Sequence, residues 1–245
     1  MSSYIADVEI SSVTSREIID LAVMPVCFEL GPENLVGLSY KDSFSKSVQF
    51  SADKWSPECV ATHGVLPEDR EGLPKFTDAA VQELMPDIQY VIGHGVDFDC
   101  DLLKLPEEVR RIDTLAMSKV CYPNLESFKL GMVYLEVMGM NRASIAVLKG
   151  SHSAETDVVM AFWIARDIAM QNGIHDMLGL WEFSEHCRMP TKMPFGKHKD
   201  VLIAELPVDY LRWALGDGGL TEIDKYLRAA LQKSLDARSG RTLFS

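Results

Sequence analysis

Three strand-like runs crowd the first fifty residues with only short polar connections, and few folds can use such an opening. Residues 4–8 (YIADV) are apolar and lead into the acids Asp7 and Glu9. Residues 17–28 (EIIDLAVMPVCF) are rich in β-branched and apolar side chains. Residues 35–40 and 47–50 read as a third strand with a bend or break. Strands joined this closely pair as an antiparallel meander. The pattern then changes. Ser56 and Pro57 open a short helix over 56–62 as N-cap and first helical residue. Thr77 caps another over 77–84. Short strands at 90–93 and 111–113 alternate with helices at 98–103, 114–120, 127–138 and 153–170. The last of these has a wide apolar face of Val158, Val159, Ala161, Phe162, Ala165, Ile168 and Ala169. Strands first, then strands alternating with helices, predict a mixed α/β sheet with helices packed on it.

Composition removes several function classes. The chain has 47% hydrophobic and 24% charged residues, as an ordinary globular protein does. No stretch approaches the roughly 18 consecutive apolar residues of a membrane helix, and the N-terminus lacks a basic start followed by an apolar run. Five scattered cysteines without a C-x-x-C pair argue against a disulfide framework or structural zinc and suit a reducing cytoplasm. The net charge of −12 opposes phosphate binding, but it is unevenly spread. Residues 186–245 hold 10 basic and 7 acidic side chains, and residues 1–185 hold 14 and 29. A mildly basic module therefore follows an acidic body.

Some of those acids occur in short patterns. Asp7-Val8-Glu9 ends a strand, and residues two apart on a strand share a face, so both carboxylates can converge on one cation. Oxygen-only ligands suit Mg²⁺ or Mn²⁺. Asp99 starts a short helix just after the strand at 90–93 and His94. His152 stands at a loop-to-helix junction, five residues before Asp157 on the first turns of the long helix. That position suits a general base able to move. Asp113 sits at a strand-to-helix junction and reads as an N-cap.

Taken in order, D-x-E, H-x-x-x-F-D and H-x-A-x-x-D resemble the motifs of the DEDDh 3′→5′ exonucleases of the RNase H-like superfamily. The segment from Ser56 to His63 (SPECVATH) is similar to one in the exodeoxyribonuclease X group. The resemblance spans residues 4–172. It implies an RNase H-like five-stranded mixed sheet, its first three strands antiparallel and the rest parallel, flanked by helices. It implies Asp7, Glu9, Asp99 and Asp157 as ligands of two divalent cations, Mg²⁺ or Mn²⁺, with His152 as general base. Two cations about 4 Å apart supply a hydroxide nucleophile and stabilise the leaving oxygen. The activity implied is release of nucleoside 5′-monophosphates from a free 3′ end, with single-stranded DNA favoured and RNA possible. A weakly catalytic nucleic-acid-binding scaffold with the same fold is a competing reading. Ile10-Ser11-Ser12 stands where the family usually has Thr-Thr-Gly, and Gly95 where it has Asn. Ile10, Ser11, His63, His94 and Phe98 are the implied nucleic-acid contacts, although Phe98 by itself reads as a core residue and His63 equally as a helix-end histidine.

The two prolines of residues 189–194 (MPTKMP) mark a linker, giving an exonuclease domain over 1–187 and a small α-helical module over 188–245. The module carries M-P-F-G-K-x-K and then L-P-x-x-Y-L-x-W, similar to a small uncharacterised domain. Helices are expected around 207–215 and 222–235, with a frayed tail over 236–245. Lys197 and Lys199 could contact phosphate from a turn or be simply solvated. Tyr210 and Trp213 could stack a base or form the module's own core.

Overall fold

The computed structural model describes residues 2–31, 36–40, 45–150, 152–220 and 223–238. Two compact units divide the chain, residues 1–184 and 185–245.

The first unit is built on one mixed sheet. Its strands are β1 (Ser2–Ile10), β2 (Ile18–Leu30), β3 (Val36–Tyr40), β4 (Lys46–Gln49), β5 (Ile88–Gly93) and β6 (Arg110–Asp113). The order is β3-β2-β1-β5-β6, and β4 also pairs with β2. β1 to β4 run antiparallel to their neighbours, and β5 and β6 add in parallel. β3 pairs with Val26–Leu30 and β4 with Asp20–Val23, while β1 lies along the opposite edge of β2. β3 and β4 are thus two pieces of one lane, which is the broken third strand expected from the sequence.

The helices are α1 (Pro57–His63), α2 (Asp78–Leu84), α3 (Asp97–Leu102), α4 (Thr114–Cys121), α5 (Leu130–Met138), α6 (Arg142–Leu148), α7 (Ala154–Gln171) and α8 (Met177–Arg188). The Ser56 hydroxyl accepts from the Cys59 N–H, and the Asp113 carboxylate from the Leu115 N–H, so both residues cap as expected. Thr77 precedes α2 without a side-chain bond. α6 and α8 were not anticipated from the sequence.

Alternation along β1 sorts its two faces. Tyr4, Ala6 and Val8 join Val81, Met85, Val96, Cys100 and Leu103 in one buried cluster with α2 and α3. Ile5, Asp7 and Glu9 therefore face the other layer, where α7 packs across β1, β2 and β3. The first turn of α7 is held by Ser153, whose hydroxyl accepts from the Thr156 N–H at 3.3 Å. Ser153→Ala should cost about 1 kcal/mol of stability by urea unfolding; no measurable loss would remove this cap from the account.

In the second unit, α9 (Val208–Leu215) and α10 (Lys225–Arg238) pack on Met193, Ile203 and Leu206. Helix α10 extends through 236–238, which corrects the frayed tail for those residues; 239–245 lie outside the described residues. The buried stripe of Leu227, Ala230 and Leu231 ties the helix down.

Candidate functional site

The site forms where β1 outruns its parallel neighbour. β5 pairs with Ser2–Ile5 of β1 and ends at Gly93, so the chain beyond Ile5 is free on that edge. α3 fills the gap, and Asp99 Oδ1 accepts a bond from the Val8 N–H at 3.3 Å. On the other edge the register between β1 and β2 slips just after Glu9, which pairs with Asp20, whereas Ile10 pairs with Ile18. Bulges of this kind re-aim side chains beside functional sites.

Asp7 and Glu9, brought to one face by strand alternation, meet Asp157 from the first turn of α7. One carboxylate oxygen from each of the three lies within 4.8 Å of the others. Asp99 stands beside this trio and is buried, one oxygen engaged by Val8. Of the four acids singled out in the sequence, three lie in one cluster and the fourth, Asp99, bonds the Val8 N–H. His152 is exposed, in a left-handed conformation with φ +65°, and its N–H donates to Asp157 Oδ1 at 3.2 Å. A non-glycine residue there carries strain on the order of 1–2 kcal/mol.

Electrostatically the cluster is unfavourable as it stands. Burial first, then the charges of Asp99, Asp157 and Glu9, hold the Asp7 carboxyl well above the usual range. Burial with Asp157, Asp20 and Asp99 nearby raises Glu9 to about 8. Burial lifts Asp99 to about 7 against the opposing Val8 bond, and Asp157 to about 6 against the N–H and charge of His152. Among the described residues no ion pair with Lys or Arg offsets these acids. An all-oxygen, anionic, unneutralised donor set is what a hard divalent cation fits.

Two residues were missed in the sequence. Asp20 is buried opposite Glu9 and accepts a 2.6 Å bond from the Ser47 hydroxyl. Burial raises its carboxyl, and Glu155 opposes its ionisation too, while Ser47 and Arg70 favour it. A lone acid inside the apolar run of 18–28 was the available signal. Arg70 is buried, and its Nε has no hydrogen-bond partner among the described residues. Its charge lowers both Asp20 and His63. Nothing in its local sequence marks it.

The remaining sequence candidates separate. Ile10 is half-buried at the end of β1. Ser11 is fully enclosed, its hydroxyl on the Glu17 carbonyl, so its side chain cannot meet a ligand. His94 is also structural: Nε2 donates to the Phe128 carbonyl at 2.7 Å, and Nδ1 lies 3.0 Å from the Thr114 hydroxyl. Burial lowers its pKa. Phe98 reverses the core reading. It is 46% exposed, beside Asp99, with the Arg16 guanidinium 5.9 Å from its ring centre. His63 closes α1, its Nδ1 accepting from the Val65 N–H at 3.0 Å while Nε2 is enclosed without a partner among the described residues. Burial lowers its pKa, and the nearby charge of His152 acts in the same direction.

This order of strands, flanked by helices, is an RNase H-like α/β fold. Exonuclease X in complex with 5′-overhanging duplex DNA matches at 16% identity, over 73% of this chain and 99% of that one, with a TM-score of 0.50. A structure of exonuclease I matches at 15% identity over 99% of this chain and 68% of its own, TM-score 0.55. E. coli exonuclease I bound to a dA16 oligonucleotide matches at 14% identity, 98% and 68% coverage, TM-score 0.54. At these identities the likeness establishes the fold. Residues 187–221 match the family described as "Putative quorum-sensing-regulated virulence factor". No curated protein sequence matches the chain. Among the described residues no helix is long and apolar enough to cross a membrane.

Proposed function

We propose that the first unit is a divalent-cation-dependent 3′→5′ exonuclease, acting on DNA and releasing nucleoside 5′-monophosphates. The observation that carries this reading is the convergence of Asp7, Glu9 and Asp157, with Asp99 alongside and His152 tethered to Asp157. The fold-level likeness to exonucleases I and X, both crystallised with DNA, agrees with it.

Asp7, Glu9, Asp99 and Asp157 would hold the Mg²⁺ or Mn²⁺ ions, which when bound supply an acidified water and charge stabilisation for the leaving 3′-oxygen. Asp99 ties the start of α3 to strand β1 through its Val8 bond. His152 takes the proton of the attacking water on its imidazole, and its exposed turn lets the ring swing toward the cluster. Phe98, exposed at the site's edge, offers a face to the terminal base.

Incubating the protein with 3′- or 5′-labelled strands of DNA and RNA, with Mg²⁺, Mn²⁺ or EDTA, tests the reading. Stepwise shortening of DNA from the 3′ end, abolished by EDTA, is expected. Cleavage of RNA alone would reassign the substrate, and no cleavage with either metal would refute the activity. His152→Ala should slow hydrolysis by about 10²–10⁴-fold and leave metal binding intact. A near-full rate from pH 6 to 9 would remove His152 as the base.

A further inference from the structure

The second unit carries an aromatic row that its own core uses only in part. Leu211 and Ala214 of α9 point into the core with Met193, Ile203, Leu206, Leu227 and Leu231. Tyr210 and Trp213 each lie one residue earlier and so share the neighbouring face of the helix. Tyr210 is half-buried against the core's edge, but Trp213 is 50% exposed. The His198 ring sits 4.3 Å from Tyr210, and Tyr210 sits 5.4 Å from Trp213. Three rings from two segments thus lie in series, Tyr210 packed against the core and Trp213 left in solvent.

We propose that this row, flanked by Lys197 and Lys199, is a platform for single-stranded nucleic acid. Lys197 and Lys199 are both exposed on the turn that carries His198, and no ion pair engages them among the described residues. Bases stack on exposed rings regardless of sequence, and a nearby cation pair tracks the phosphates. Charge supports that occupant over a basic peptide. Residues 186–245 carry 10 basic and 7 acidic side chains in a chain of net charge −12, so cationic character is concentrated here. Trp213 supplies the outermost ring, Tyr210 backs it, and the two lysines fix the path of the backbone. Binding here is separate from the hydrolysis proposed for the first unit, since stacking and phosphate contact need no divalent cation.

The test is anisotropy of a fluorescein-labelled oligo(dT) 12-mer titrated with full-length protein in EDTA, so that no strand is cut. Tyr210→Ala/Trp213→Ala should raise Kd by at least about 10-fold, while Trp213→Phe, which keeps a ring, should stay within about 3-fold of wild type. Lys197→Gln/Lys199→Gln should lower the slope of log K against log salt by about 1–2. Because the titration is run in EDTA, a failure of the hydrolysis proposed for the first unit leaves this measurement standing. An abasic 12-mer should bind about 10-fold more weakly than oligo(dT). The proposal is overturned if the folded Tyr210→Ala/Trp213→Ala protein binds as wild type does. It is equally overturned if the abasic strand binds as tightly as oligo(dT), because phosphate attraction alone would then explain the affinity. Thermal melting of each variant checks that the module remains folded; should the alanine pair unfold it, Trp213→Leu carries the same test.

Discussion

Asp7→Asn should reduce hydrolysis from the 3′ end by about 10³-fold or more with little change in fold. Asp7 stands at the centre of the acidic cluster, on the same face of β1 as Glu9 and within reach of Asp157. An amide keeps the shape of the side chain but removes a formal charge and one anionic ligand oxygen, so cation affinity falls. The strand itself should tolerate the change, because the β1 backbone is tied to β2 and β5 independently of this side chain. Measured as rate on a labelled DNA strand, alongside the rise in Tm on adding Mn²⁺, both quantities should drop together. An Asp7→Asn protein that kept its rate would break the link between the cluster and catalysis. One that lost rate while keeping the full Mn²⁺ response would move the cation elsewhere.

The second large effect is in stability against pH. Burial raises Glu9 to about 8, Asp99 to about 7 and Asp157 to about 6, from ordinary values near 4, and neighbouring acids add to the rise at Glu9 and Asp99. Below about pH 4 these groups are protonated in both folded and unfolded chains, so the crowding costs nothing. As pH rises from 4 toward 8, the unfolded chain gives up its protons first while the folded chain retains them. The folded state then binds more protons, and stability falls with pH until the folded carboxyls have ionised too. The first unit, stripped of metal with EDTA, should therefore melt lower at pH 8 than at pH 5 by on the order of 5 °C. Mn²⁺ competes with the same protons, so its stabilisation should be larger at pH 8 than at pH 5, about 2.7 kcal/mol at a hundredfold excess over Kd. Glu9→Gln should flatten the metal-free slope. A Tm that rises steadily from pH 5 to 8 without metal would mean that the acids are not crowded in the folded protein.

Much of the architecture was legible because local chemistry specifies it. β-branched runs with polar connections gave the antiparallel opening, Ser56 and Asp113 capped where their hydroxyl and carboxylate types favour it, and the apolar face of residues 158–169 marked α7. The site was legible as residue types: Asp7 and Glu9 by strand alternation, Asp157 by its place at a helix start. The surroundings of Phe98 and His94 were not legible. An aromatic residue and an imidazole have no local pattern that says whether the surrounding chain covers them, and here Phe98 is left out and His94 is spanned by Thr114 and Phe128.

The amino-acid order by itself determined which segments become strands and helices and which side chains can bind a hard cation, since both follow from neighbours a few positions apart. Only the tertiary structure decided that three acids separated by up to 150 positions share a 4.8 Å cluster. It alone set Asp99 against the Val8 amide, brought Asp20 opposite Glu9 and left Trp213 in solvent. Those outcomes depend on strand register and on where β5 stops beside β1, and register is set by packing over the whole sheet rather than by any one stretch of sequence.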